Sequence, residues 1–189
     1  MKIYFEGVSC SGKSTLIKTI EQSRRGIISI SELPDDYKKH EDLDNFCRYN
    51  DERKCLIANE KSKMSIVLVD RGYASTLAYN YIQLKLSLSQ EYFKTLDWYL
   101  EGIKNGKLLK PDFYVLLSVD KKTAINRAKK LNRFCKTIAW YNNPLIGNNF
   151  YKYFFSLLEP DIPLLSLDGK IPVEKLLKEF WRFIDEHKK

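Results

Sequence analysis

The sequence predicts an α/β fold in which a five-stranded parallel sheet carries helices on both faces. Three observations support that expectation. Two apolar runs, Ser65-Ile66-Val67-Leu68-Val69-Asp70 and Phe113-Tyr114-Val115-Leu116-Leu117, show no polar alternation, as strands buried on both faces require. Stretches with helical spacing separate the strand-like runs along the chain, and that alternation builds parallel sheets through helical crossovers. The third is a loop, Gly7-Val8-Ser9-Cys10-Ser11-Gly12-Lys13-Ser14, set between a β-prone run and a helical one.

Size and composition bound the rest. At 189 residues, with 44% hydrophobic and 13% aromatic content, the chain reads as one domain, 1–189, able to bury a core without staples. It enters its first strand at once, which leaves no room for a signal peptide, and no apolar run reaches the roughly 20 residues of a membrane helix. Four separated cysteines (Cys10, Cys47, Cys55, Cys135) and two histidines make poor material for a zinc site or a disulfide framework. The expected setting is reducing and cytoplasmic, with no membrane partner. The net charge of +8 is spread over several segments rather than gathered in a stripe, which argues against a nucleic-acid partner and suits a polyanionic small molecule.

In chain order, Lys2 to Phe5 reads as the first strand and the helix after the loop fades near Arg24-Arg25-Gly26. Ile27 to Ile30 is a second strand, stopped at Leu33-Pro34 because proline cannot continue a ladder. Leu43, Phe46, Cys47, Asn50 and Ile57 place a helix between Asp42 and Lys63, before the strand that ends at Asp70. Helices are expected at 73–86 and 89–104, the second closed by Gly106. Beyond the strand at 113–117, Asp120 caps a helix carrying Ala124, Ile125, Ala128 and Leu131. Asn142-Asn143-Pro144 and Gly147-Asn148-Asn149 are turn signals, so Phe134–Asn149 is expected to be irregular and a helix to resume at 150–158. A fifth strand spans 162–167. Pro172 then occupies the first position of a last helix buried through Val173, Leu176, Leu177, Phe180, Trp181 and Ile184.

The loop fits G-x-x-x-x-G-K-[ST], and the physics of that pattern is specific. A strand, a tight loop and a helix N-terminus gather backbone N–H groups into a concave seat for an anion. Gly7 and Gly12 permit backbone angles that a Cβ forbids. Ser9, Cys10, Ser11 and Thr15 complete the cradle around ATP, with Lys13 reaching the β- and γ-phosphates and Ser14 placed to hold Mg²⁺. Asp70, at the carboxyl end of a buried strand, suits the same ion; the alternative is an Asp that caps the next helix.

Asp70-Arg71-Gly72-Tyr73-Ala74-Ser75-Thr76-Leu77-Ala78-Tyr79-Asn80 resembles the D-R-x-x-x-S-x-x-A-Y-Q signature of thymidylate kinases. Phe5-Glu6-Gly7-Val8, Lys110-Pro111-Asp112 and Asn126-Arg127-Ala128 resemble the same family, and the deoxynucleoside kinases are its sister family. The resemblance implies a P-loop kinase fold with a lid at about 127–149, and ATP- and Mg²⁺-dependent phosphoryl transfer, most simply dTMP to dTDP. It implies that Arg71 holds the acceptor phosphate or the phosphoryl in flight, and that Arg127 and Arg133 bring charge over the γ-phosphate. The alternative for the lid arginines, and for Lys129 and Lys130, is a solvated helix face. Tyr49 and Arg53, one helical turn apart, match an aromatic–arginine pair that binds thymine; the alternative is an amphipathic surface pair. Ser75 and Asn80 would line that pocket, and the family's habit of pairing implies a homodimer as one possible assembly.

Three departures bear on the acceptor. Ser9 and Cys10 replace an Asp and, in some members, an Arg; Ser31-Glu32-Leu33-Pro34 stands where the family has R-E-P. The arginine that would grip a monophosphate is missing, and Glu32 remains as a catalytic candidate. In the sister family a Glu here takes the proton of a sugar hydroxyl, so a nucleoside kinase is the alternative activity. A more distant alternative is a nucleotide-binding switch or a nucleic-acid-associated protein.

Overall fold

A computed structural model of the protein describes residues 1–34, 41–132 and 142–187. Its strands are β1 (Lys2–Glu6), β2 (Ile27–Ile30), β3 (Ile66–Asp70), β4 (Phe113–Ser118) and β5 (Leu164–Asp168). The helices are α1 (Lys13–Ser23), α2 (Leu43–Lys61), α3 (Tyr73–Lys85), α4 (Glu91–Asn105), α5 (Lys121–Lys130), α6 (Pro144–Tyr153) and α7 (Val173–His187). A wider π-type turn, Phe154–Leu158, continues α6.

All strands pair in parallel in the order β2-β3-β1-β4-β5. On one face Leu16, Ile20, Phe180 and Ile184 of α1 and α7 pack on Ile3, Phe5, Leu68 and Val115. On the other, Leu77, Ala78, Phe150 and Phe154 pack on Tyr4, Val69 and Tyr114. Burial on both faces explains the unbroken apolar runs of β3 and β4. Because every strand runs the same way, Gly7–Ser14, Arg71–Ser75 and Gly169–Pro172 all emerge at the carboxyl rim, where ligands of such sheets bind.

The helix ends obey local chemistry. Asp42 accepts from the Asn45 amide at 3.0 Å and Asp120 from the Thr123 amide at 2.8 Å, each satisfying an orphan donor. Gly106, at φ 72°, closes α4 in the left-handed conformation.

The largest departure from expectation is α6, which begins at Pro144, not Phe150; β5 also lies later than the expected 162–167, at Leu164–Asp168. Proline in the first turn loses no hydrogen bond, and the Asn143 carbonyl accepts from the Ile146 and Gly147 amides at 3.1 and 3.4 Å. An Asn-Pro pair signals a helix start as readily as a turn, and the buried Gly147 allows close packing. The last helix starts one residue late, at Val173, with the Pro172 carbonyl accepting its first amides. Of the expected lid at 127–149, residues 133–141, including Arg133, lie outside the described residues, as does Cys135.

Candidate active site

The loop after β1 wraps tightly. At Gly7 (φ 134°) an added Cβ would lie 2.1 Å from the Leu117 carbonyl oxygen, so no larger residue fits. Cys10 also takes a left-handed φ of 60°. Lys13 is buried, and its Nζ donates to the Gly7 and Val8 carbonyls at 3.0 and 3.1 Å and to Ser11 Oγ at 3.4 Å. Burial, with the Arg71 charge nearby, pushes the ammonium down to about 8.

Ser9, Cys10, Gly12, Lys13, Ser14 and Thr15 line a cleft of about 830 Å³. Gly7 and the fully buried Ser11 are not among its lining residues. Six cationic side chains (Lys13, Lys18, Arg71, Arg127, Lys130, Lys170) and one carboxylate, Glu32, face this cleft. That balance suits a polyphosphate.

Asp70 ends β3, and its Oδ2 accepts from the Ser14 hydroxyl at 2.6 Å. Its Oδ1 is buried with no hydrogen-bond partner among the described residues. The capping alternative fails, because α3 is preceded by Gly72 and carries no side-chain cap. A hydroxyl and an unpartnered carboxylate oxygen are hard ligands of the kind Mg²⁺ takes, so the residues fit that ion. Among the described residues no three His, Cys, Asp or Glu side chains gather to hold a metal alone. The remaining ligands would therefore be phosphate oxygens and water.

Arg71 follows at φ 61°, a strained conformation for an arginine. Its Nε lies 2.7 Å from Glu32 Oε1, and its Nη1 donates to the Gly7 carbonyl at 2.7 Å and to Ser75 Oγ at 3.2 Å. Its Nη2 donates to Ser9 Oγ at 3.4 Å. Burial works to raise the Glu32 carboxyl, but the Arg71, Lys13 and Lys54 charges outweigh it and hold the group below its ordinary value.

A second cavity, of about 320 Å³, opens between α2 and α3. Among the described residues only Glu32 and Arg71 line both spaces. Ser75 and Asn80 line the second cavity as the resemblance implies, and Asn80 Nδ2 donates to Thr95 Oγ1 at 3.1 Å. Tyr49 and Arg53 do not: Tyr49 is 66% exposed, and Arg53 is exposed with its Nη2 on Asn50 Oδ1 at 3.0 Å. They do share a face of α2, but the cavity faces the stripe Leu43, Phe46, Cys47, Asn50, Asp51 and Lys54. The expected pair is thus out of phase with the cavity, and the surface alternative describes where it sits.

Sequence reasoning missed Lys54 and Asp51, and it quoted Glu6 in the Phe5–Val8 segment without giving it a role. Lys54 Nζ pairs with Asp51 Oδ1 at 2.8 Å and donates to the Arg71 and Glu32 carbonyls at 2.8 and 3.4 Å, which fixes both chain segments. A lysine three residues after an acid on an otherwise apolar helix face was the available signal. Arg127, in the last turn of α5, donates to the Cys10 and Ser11 carbonyls at 3.2 Å each and to the Gly169 carbonyl at 2.7 Å. It ties the phosphate loop to the β5–α7 connection.

A phosphate cradle at the edge of a central parallel strand, with a strand-end acid and arginine beside it, defines a P-loop kinase fold. No protein-family model matches the chain. Among curated proteins it is 25% identical over 193 aligned positions to a probable thymidylate kinase of Thermoplasma volcanium, covering 97% of each. Among solved structures it resembles the deoxyadenosine kinase of M. mycoides with bound dATP, at TM-score 0.76 and 19% identity, over 98% of this chain and 100% of that one. The same kinase with dCMP and a flexible dCDP gives TM-score 0.74 at 20% identity, with the same coverage. At such identities the structural likeness is one of fold.

Proposed function

We propose that this protein is an ATP- and Mg²⁺-dependent nucleoside or nucleotide kinase, and that its acceptor is the 5′-hydroxyl of a nucleoside. That it is a nucleoside or nucleotide kinase is supported by both relatives, a probable thymidylate kinase and a deoxyadenosine kinase. One observation supports the finer one: the Glu32–Arg71 pair stands at the junction of the two cavities. The second cavity presents Lys54 and Arg71 against Glu32, Asp44 and Asp51. A monophosphate there would meet an ionised carboxylate, with no arginine at position 31 to offset it.

In this reading the loop amides, Lys13 and Arg127 hold the donor in the cationic cleft, and Arg71 stabilises charge on the transferred group. Mg²⁺ held by Ser14 and Asp70 would neutralise charge on the donor phosphates. Glu32 accepts the acceptor's hydroxyl proton as the sugar oxygen bonds to the γ-phosphorus and the bond to the ADP oxygen breaks. Asn80 orients the acceptor in the second cavity, with Ser75 in the cavity wall.

The second reading, dTMP to dTDP, is supported by the full-length likeness to the probable thymidylate kinase and by the Asp70–Asn80 segment. Arg71 would then grip the acceptor's phosphate. Purified protein with ATP, Mg²⁺ and a panel of nucleosides and monophosphates, followed by ADP release, separates the two. Turnover of monophosphates alone rejects the nucleoside reading; no turnover of either rejects both.

A further inference from the structure

The Ser75 hydroxyl is a buried meeting point. Arg71 Nη1 donates to it at 3.2 Å, the Tyr151 hydroxyl lies 2.8 Å away, and the Glu6 carboxyl closes on it through Oε2. Glu6 ends β1, one residue before the phosphate loop; Tyr151 comes from α6. Both are fully buried. The other Glu6 oxygen, Oε1, accepts from the Gly72 amide at 2.9 Å. One carboxyl therefore grips the first turn of α3 twice, by its backbone at Gly72 and by its side chain at Ser75. Arg71, adjoining Gly72, is held at a left-handed φ of 61°. Such a conformation costs about 1–3 kcal/mol and persists only where the surroundings over-determine it.

Among the described residues Glu6 makes no ion pair. The charged and titratable groups acting on it include Arg71 before α3, Asp51 and Lys54 from α2, Lys13 from α1, Tyr4 from β1 and Tyr151 from α6. Burial, the largest influence, pushes its carboxyl up to about 8. A neutral carboxyl can accept from Gly72 and donate to Ser75 at once.

We propose that Glu6, with Tyr151 completing the contacts of Ser75, is a positioning residue that aims the Arg71 guanidinium at the junction of the two cavities. This rests on the kinase reading above, because the reaction is what Arg71 serves.

Glu6→Gln keeps an acceptor for Gly72 and a donor for Ser75, whereas Glu6→Ala keeps neither. With the best acceptor, Glu6→Ala is expected to lower kcat by about a hundredfold, the effect of a reacting group misplaced by about 1 Å, with ATP KM unmoved. Glu6→Gln is expected to stay close to wild type. In the substrate-free protein, hydrogen exchange of the Gly72 amide should quicken in Glu6→Ala and not in Glu6→Gln. A folded Glu6→Ala with wild-type kcat, or a Glu6→Gln as impaired as it, overturns the proposal. If Glu6→Ala does not fold, Tyr151→Phe decides: lowered kcat at unchanged ATP KM supports the proposal, and unchanged kcat overturns it. A wild type inactive on every acceptor would indict the kinase reading instead, while the Gly72 exchange pattern still tests the grip of Glu6.

Discussion

Glu32→Gln separates the two acceptor readings, and the structure sets the size of the effect. Glutamine keeps the shape of the side chain but cannot take a proton, and it removes the negative charge from the 2.7 Å contact with Arg71. The Glu32 side chain is 46% exposed, so solvent screens that pair. The stability lost is on the order of 1 kcal/mol or less, and the thermal midpoint should barely move. A positioned general base contributes about 10²–10⁴-fold to rate. Turnover of a nucleoside should therefore fall by that factor, about 3–5 kcal/mol of transition-state free energy. Turnover of a monophosphate, whose attacking oxygen is already anionic, should change by less than about tenfold. The assay is steady-state ADP release with thymidine and with dTMP. Because Glu32 is held below its ordinary value, it is ionised throughout the physiological range. The wild-type nucleoside rate should then show no acid limb owed to this group between about pH 5.5 and 7.5. A Glu32→Gln enzyme that phosphorylates thymidine at the wild-type rate refutes the base assignment.

Four further outcomes follow from the geometry. Lys13→Ala should lower kcat by about 10²–10³ while retaining the fold, since a buried ammonium is lost rather than a packed core group; near-normal turnover would remove the loop from the chemistry. Gly169→Ala should destabilise by about 1–3 kcal/mol and raise the ATP KM, because its Cβ would lie 2.2 Å from the Ser11 carbonyl oxygen; an unmoved thermal midpoint and ATP KM would contradict the tight approach. Tyr49→Ala and Arg53→Ala should leave the acceptor KM unchanged, since neither side chain lines the acceptor cavity, and a severalfold rise in either would return that residue to the site. Glu6→Gln should flatten the pH dependence of stability. With its carboxyl raised to about 8, the folded wild type binds a proton that the unfolded chain releases above about 4.5. Stability is then lost as pH rises through that window, by at most about 1.4 kcal/mol per unit, and Lys13, lowered to about 8, opposes this only above that value. Melting temperatures of both proteins between pH 5 and 7.5 read the difference, and parallel curves would place the Glu6 ionisation elsewhere.

The geometry of the cradle around Gly7–Ser14 was legible because it is local. Gly7, Gly12, Lys13 and Ser14 lie within eight consecutive residues, and the nest they form needs only the strand before and the helix after. Asp70 was legible for a related reason: an acid closing an unbroken apolar run must emerge where a buried parallel strand ends. The strands were legible from unbroken apolar runs and most helices from their period. The start of α6 was not, because Asn143-Pro144 satisfies the backbone equally well as a turn or as a first helical turn. The choice is made by burial of Gly147, Phe150 and Tyr151, a fact about tertiary packing.

The second cavity resisted reading because helical phase is a tertiary quantity. Tyr49 and Arg53 have the right spacing to share a face, and spacing cannot say which way that face points. On α2 the answer comes from Lys54. Its ammonium must reach Asp51 and the Arg71 carbonyl, and burying that charge unpaired would cost several kcal/mol. The stripe Cys47–Asn50–Asp51–Lys54 therefore turns inward, and residues one position before Asn50 and Lys54 rotate out by about 100°. The same constraint links the two halves of the site. The Lys54 contact at the Arg71 carbonyl and the Glu6 contact at the Gly72 amide hold opposite sides of one peptide group, and Arg71 projects from between them toward Glu32. The orientation of the group between the pockets is thus set by two buried side chains, Lys54 and Glu6, to which the sequence alone assigns no role.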